Sequence, residues 1–155
     1  MANGLRYLVD TNILLRLSKE DDPHYALVQS ATQALIESRA HLCYAPQNIG
    51  EFWNVCTRPA SHNGFGLSIE ETDARVNAIE RIMTLLPDNE QIYWVWRDLV
   101  VGNSVRGVQV HDARLAAAMQ VHALSHNSYL EPAGFRPLHK HQGCTSSRCL
   151  SVNVG

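Results

Sequence analysis

The chain is short of net charge, of cysteine and of long apolar runs. Its 13 Lys and Arg against 15 Asp and Glu leave a net charge of −2 with histidines neutral. That argues against a broad basic surface for nucleic acid, but not against a nuclease whose bound cation supplies the positive charge. There are 4 cysteines, Cys43, Cys56, Cys144 and Cys149. Two lie in hydrophobic runs and two near the end, which excludes a disulfide framework. The opening "MANGLRYLVDTN" has no apolar core of the kind a signal peptide needs. No run approaches the ~18 apolar residues of a membrane span. A cytoplasmic protein is the expectation. No internal repeat and no low-complexity segment occur. What is present is ordinary globular composition: 155 residues, 45% hydrophobic and 18% charged, enough for one domain with a substantial core.

Along the chain, "LRYLVDTN" predicts a short buried strand, Tyr7 to Val9, ending on Asp10. "ILLRLSKED" begins a helix, and Pro23 opens a longer one with Leu27, Ala31, Ala34 and Leu35 on its apolar face. "HLCYA" predicts a second strand. "PQNIGEFWNVCTR" is a helix with proline in its first turn, ending before Pro59. "ASHNGFG" is a loop. Ser68 to Glu71 fits a capping box, in front of a helical face of Ile69, Val76, Ile79, Met83 and Leu86. "LLPD" is a weak strand-to-loop signal, "NEQIYWVWRDLVVGN" a helix, "VRGVQV" a connector and "HDARLAAAMQVHAL" a strong helix. The order predicts an α/β sandwich on a parallel sheet, one strand short at the end.

Three acids stand at places where chemistry is done. Asp10 ends the first strand, and ligands bind outside the carboxyl ends of parallel strands. Asp10 or Asn12 can equally cap the next helix. Glu51 lies among Ile49, Phe52, Trp53 and Val55, so it either reaches the surface or enters a polar site. Asp112 heads its helix, where an acid also complements the helix dipole. Together, three carboxylates at strand ends and helix starts suit a hard cation. Mg²⁺ takes oxygen ligands and keeps several waters. Such a site lowers the pKa of bound water beside a phosphate. Other candidates have both readings too. His111 could touch substrate or be structural. Arg58 could meet phosphate or finish its helix. Trp53, Trp94 and Trp96 could stack bases or serve the core or a dimer contact.

"YLVDTNILLRL", "APQNIGEFWNVCTRP" and "GVQVHDARLAAAMQVHAL" resemble the three motifs of the PIN-domain family, and specifically its VapC-type toxins. The match spans residues ~5 to ~126 in the right order. The resemblance implies an α/β/α sandwich with a central parallel sheet. It implies an Mg²⁺-dependent endoribonuclease, with Mn²⁺ as the alternative ion, acting on RNA as the toxin of a type II toxin–antitoxin system. A cognate antitoxin and a homodimer partner follow from the same resemblance. Its metal-binding and catalytic acids fall on Asp10, Glu51 and Asp112, with the Thr11 hydroxyl and the Asn12 amide beside the first. The family's fourth acid and its strand have no match here. The alternative is therefore an inactive remnant that still binds an antitoxin or a dimer partner.

Composition changes after His126, dividing the chain into a PIN-like unit (1–126) and an atypical, irregular tail (127–155). The tail holds His139, His141, Cys144 and Cys149, four potential zinc ligands, but the H-x-H spacing is unusual for a structural site. A second reading is a shifted frame. Synonymous codons exist for which the next frame from His126 reads "TILTLNPQDFARYTNIKVVHPQDV" and then stops. That string would supply a strand, the fourth acid in "NPQDF" and a final strand. In the chain as it stands, the last strands are expected to be missing or replaced by irregular structure, with stability and activity reduced. Glu131 is the one acid left in the tail.

Overall fold

A computed structural model describes residues 5–125 and 129–130 of the chain. The elements run β1 (Arg6–Val9), α1 (Thr11–Leu17), α2 (Tyr25–Glu37), β2 (His41–Tyr44), α3 (Pro46–Thr57), α4 (Ile69–Ile82), β3 (Thr84–Leu85), α5 (Glu90–Gly102), α6 (Gln109–Val121) and β4 (Tyr129–Leu130). The sheet order is β3-β2-β1-β4, with every pair parallel. Leu8 faces Cys43 in β2 and Tyr129 in β4.

Strand periodicity explains the layers. Successive side chains point to opposite faces. Tyr7 and Val9, with Leu42 and Tyr44, join a core with Ile13, Leu14, Val28, Phe52, Cys56, Val76, Ile79 and Met83. That is the α1–α4 layer. Leu8 and Cys43 point the other way, into a core with Leu86, Leu115, Met119 and Leu124. α5 packs on the far side of α6 through Ile92, Ala117 and Ala118. The sheet is thus buried on both faces, which is why its central strands read as continuous apolar runs. The α/β/α sandwich expected from the resemblance is the observed architecture.

Several details differ from the helical faces predicted. On α2 the buried positions are Val28 and Thr32, with Leu35 partly buried, while Leu27 is 62% exposed and Ala34 lies outside. On α4, Ile69 is exposed and Thr72 is buried in its stead, its hydroxyl donating to Ser68 O at 2.8 Å. The capping box is present: Glu71 N–H donates to Ser68 Oγ at 3.1 Å, and Ser68 N–H to Glu71 Oε2 at 2.8 Å. The "LLPD" signal corresponds to β3, one residue earlier. Two residues of the tail do join the sheet, as β4 against the outer edge of β1. An edge of unpaired N–H and C=O groups takes a partner strand without needing apolar alternation in it. The rest of the tail, with its zinc and shifted-frame readings and Glu131, lies outside the described residues. Among the described residues no helix is long and apolar enough to cross a membrane.

Candidate active site

β1 lies between two strands reached in opposite directions. The chain leaves it for β2 and β3 on one side and arrives at β4 on the other. Such a reversal opens a crevice at the carboxyl ends of the adjacent strands. Asp10 follows Val9 at that point. One of its oxygens, Oδ2, accepts the Asn12 N–H at 3.0 Å and caps α1. The capping reading of Asp10 therefore holds for that oxygen. Asn12 is exposed, and its backbone makes this contact.

Glu51 is drawn inward by α3. The helix buries Asn48, Phe52 and Cys56 on one stripe, and Gln47 and Glu51 lie on the adjacent one, four residues apart. Both oxygens of Glu51 are held. Buried Thr11 donates its hydroxyl to Glu51 Oε2 at 2.7 Å, and Gln47 Nε2 donates to Oε1 at 2.9 Å. Thr11 Oγ1 in turn accepts from Asn48 Nδ2 at 3.3 Å, and Asn48 Oδ1 accepts the Ala45 N–H at 2.8 Å. This relay fixes α1 against α3. The donors to Glu51 are neutral, so they orient its charge without cancelling it.

Asp112 sits half-buried in the first turn of α6. Burial pushes its carboxyl above the usual range, and the negative charges of Glu51 and then Asp10 push it further. His111 acts in the opposite sense. Asp112 therefore feels the acids of two other parts of the fold, Glu51 on α3 and Asp10 after β1. Gln47 connects two of the elements directly, since its Nε2 also donates to His111 O at 3.1 Å.

The donor set is hard oxygen throughout, as Mg²⁺ requires. Among the described residues, no three His, Cys, Asp or Glu side chains stand close enough together to hold a metal ion between them. A hydrated Mg²⁺ needs no such group of three, because it is held by one or two carboxylates and keeps its waters. One buried oxygen at the cluster, Gln47 Oε1, has no hydrogen-bond partner. The residues present fit a hydrated divalent cation.

Of the remaining candidates, Arg58, Trp53 and Trp96 make structural contacts, while Trp94 and His111 are exposed. Arg58 closes α3, and its guanidinium donates to Asn63 O at 2.9 Å. Gly64 turns beneath it, where a Cβ would lie 1.9 Å from Arg58 O. Trp53 packs against the core, and Trp96 packs beside α6 while donating Nε1–H to Val110 O at 2.9 Å. Trp94 is half-exposed on α5. The imidazole of His111 belongs to an exposed residue. Gln47 and Asn48 were not apparent from the motifs. The signal available was their spacing, four and three residues before Glu51 on one helix.

The PIN domain family profile matches residues 7–126. The chain belongs to the PIN-domain family. No curated protein matches it. This PIN domain is similar in fold to VapC20 of Mycobacterium tuberculosis, a sarcin–ricin-loop cleaving toxin. That match has 16% identity and a TM-score of 0.53, covering 76% of this chain and 84% of the other. It is also similar to VapBC2 from Rickettsia felis, solved bound to a DNA fragment from its promoter. There the identity is 10% and the TM-score 0.55, over 77% of this chain and 84% of the other. At these identities the likeness speaks for the PIN fold alone.

Proposed function

We propose that this PIN domain is a divalent-metal-dependent endoribonuclease, the toxin of a type II toxin–antitoxin pair. The observation that carries the reading is that Asp112 on α6 comes within electrostatic reach of Glu51 on α3 and of Asp10 at the end of β1, with Thr11 bonding Glu51 across α1 and α3. Like charges brought together at a fold's crevice favour a cation. Mg²⁺, or Mn²⁺ in its place, would be held among Asp10, Glu51 and Asp112, directly or through its waters. When bound it supplies the positive charge and Lewis acidity that phosphodiester hydrolysis needs.

The chain's own residues do the rest. Thr11 and Gln47 fix both oxygens of Glu51. Asp10 spends one oxygen on the α1 cap, which sets the direction of the other. Gln47 and Trp96 pin the first turn of α6, and with it Asp112. Family membership supports RNA as the substrate. The toxin-complex relative supports a cognate antitoxin as partner, with a homodimer as the expected assembly. A cytoplasmic site of action accords with that role.

The test is cleavage of RNA by the purified chain in Mg²⁺. Cleavage is expected to stop in EDTA and to be abolished by Asp10→Asn. Cleavage that survives both would sink the assignment. A second reading, an inactive remnant that binds a protein partner, is favoured by Tyr93 and Trp94, which expose about half their surface on α5. Co-purification with the neighbouring gene's product, without any cleavage, would select it.

A further inference from the structure

Gln47 is joined to the acidic cluster by two hydrogen bonds from one nitrogen. Nε2 donates to Glu51 Oε1 at 2.9 Å and to His111 O at 3.1 Å. Both partners are acceptors only, so the amide orientation is fixed; turned over, its oxygen would face a carboxylate and a carbonyl. The oxygen Oε1 therefore points away from both, and it is buried with no partner. A buried acceptor left without a donor is destabilising. It needs a donor, and it shares its amide group with the Gln47 nitrogen that donates to Glu51. Beside carboxylates that hold a hydrated cation, the fitting donor is one of that cation's waters.

We propose that Gln47 is a positioning residue of the acidic site. Its amide nitrogen sets Glu51 against the first turn of α6, and its amide oxygen accepts from a water of the hydrated cation. The second half rests on the reading of the site as a divalent-cation centre. The first half does not, because the tether joins α3 to α6 in the protein alone. The residue acts through Glu51 and Asp112, and partners of this kind typically change metal affinity by about 10–100-fold.

The experiment measures Mn²⁺ binding to the full chain by electron paramagnetic resonance, alongside amide exchange at residues 111–115 without metal. Gln47→Met keeps the length of the side chain and removes both donor and acceptor. It is expected to weaken Mn²⁺ binding by about 10–100-fold and to speed exchange in the first turn of α6. Trp96→Phe loosens the same turn through Val110 without touching Glu51. It is expected to weaken Mn²⁺ binding less than Gln47→Met does. Gln47→Met binding Mn²⁺ like the wild type, or Trp96→Phe weakening it equally, overturns the proposal. A wild-type chain that binds no Mn²⁺ overturns the cation reading and the role of the amide oxygen. The tether is then decided by exchange in Gln47→Met alone, and unchanged exchange overturns that too.

Discussion

Thr11 stands between two demands. Its hydroxyl is the donor to Glu51 and the acceptor from Asn48, and the residue is buried. Thr11→Val preserves the shape and strands both partners. It is expected to cost about 1–3 kcal/mol, while Thr11→Ser keeps most of the stability. Urea denaturation of the two variants checks this, and equal midpoints would refute it. Asp112 carries the opposite sign of effect. Its folded carboxyl lies above its ordinary value, so folding disfavours the charged form. Its contribution to stability is therefore full at low pH and is lost as pH rises through the raised value. In EDTA, Asp112→Asn should melt higher than the wild type near about pH 7, with the gap closing towards about pH 4. A wild type that melts as high as the variant at neutral pH would contradict the repulsion. Asp10 and Asp112 were legible as candidates because one follows a strand and the other opens a helix, and Glu51 because it is an acid in an otherwise apolar stretch of α3. Gln47 and Asn48 were not, since polar residues in a helix's first turn usually serve only its cap.

At the scale of elements, local chemistry was the safest guide. The Ser68 capping box was readable because both of its hydrogen bonds lie within four residues. Ser68→Ala is expected to cost about 1 kcal/mol, seen as a lower thermal midpoint with unchanged cooperativity. No loss on removing the hydroxyl would mean that α4 is set by packing alone. Helix faces were less legible. Leu27 and Ile69 have the right chemistry for the core yet lie outside it, while Thr32 and Thr72 lie within. A helix face is chosen by what it packs on, and a threonine whose hydroxyl bonds its own helix backbone, as Thr72 does to Ser68 O, can be buried at low cost. β3 is two residues long, too short for any period to show.

For the whole molecule, β4 carries a consequence larger than its length. Its two residues pair with β1, the strand that presents Asp10. A chain ending at Ser125 would leave that side of β1 unpaired. It should melt lower than the full chain and self-associate as concentration rises, which sedimentation would detect. Equal melting and a monomer at all concentrations would show that β4 contributes nothing. The sequence by itself determined the two-faced parallel sheet, because central strands buried on both sides must be apolar throughout. It also placed Asp10 and Asp112 beside element boundaries that local rules mark, while Glu51, midway along α3, stood out as an acid in an apolar stretch and through the resemblance of its motif. Only the tertiary structure decided that Asp112 comes within electrostatic reach of Glu51 and Asp10. Their separation in the chain is bridged by the order of the strands, by Thr11 between α1 and α3, and by Gln47 between α3 and α6. It also decided where the tail contributes. A strand edge needs backbone partners rather than a pattern of side chains, so Tyr129–Leu130 could join the sheet without a sequence signal.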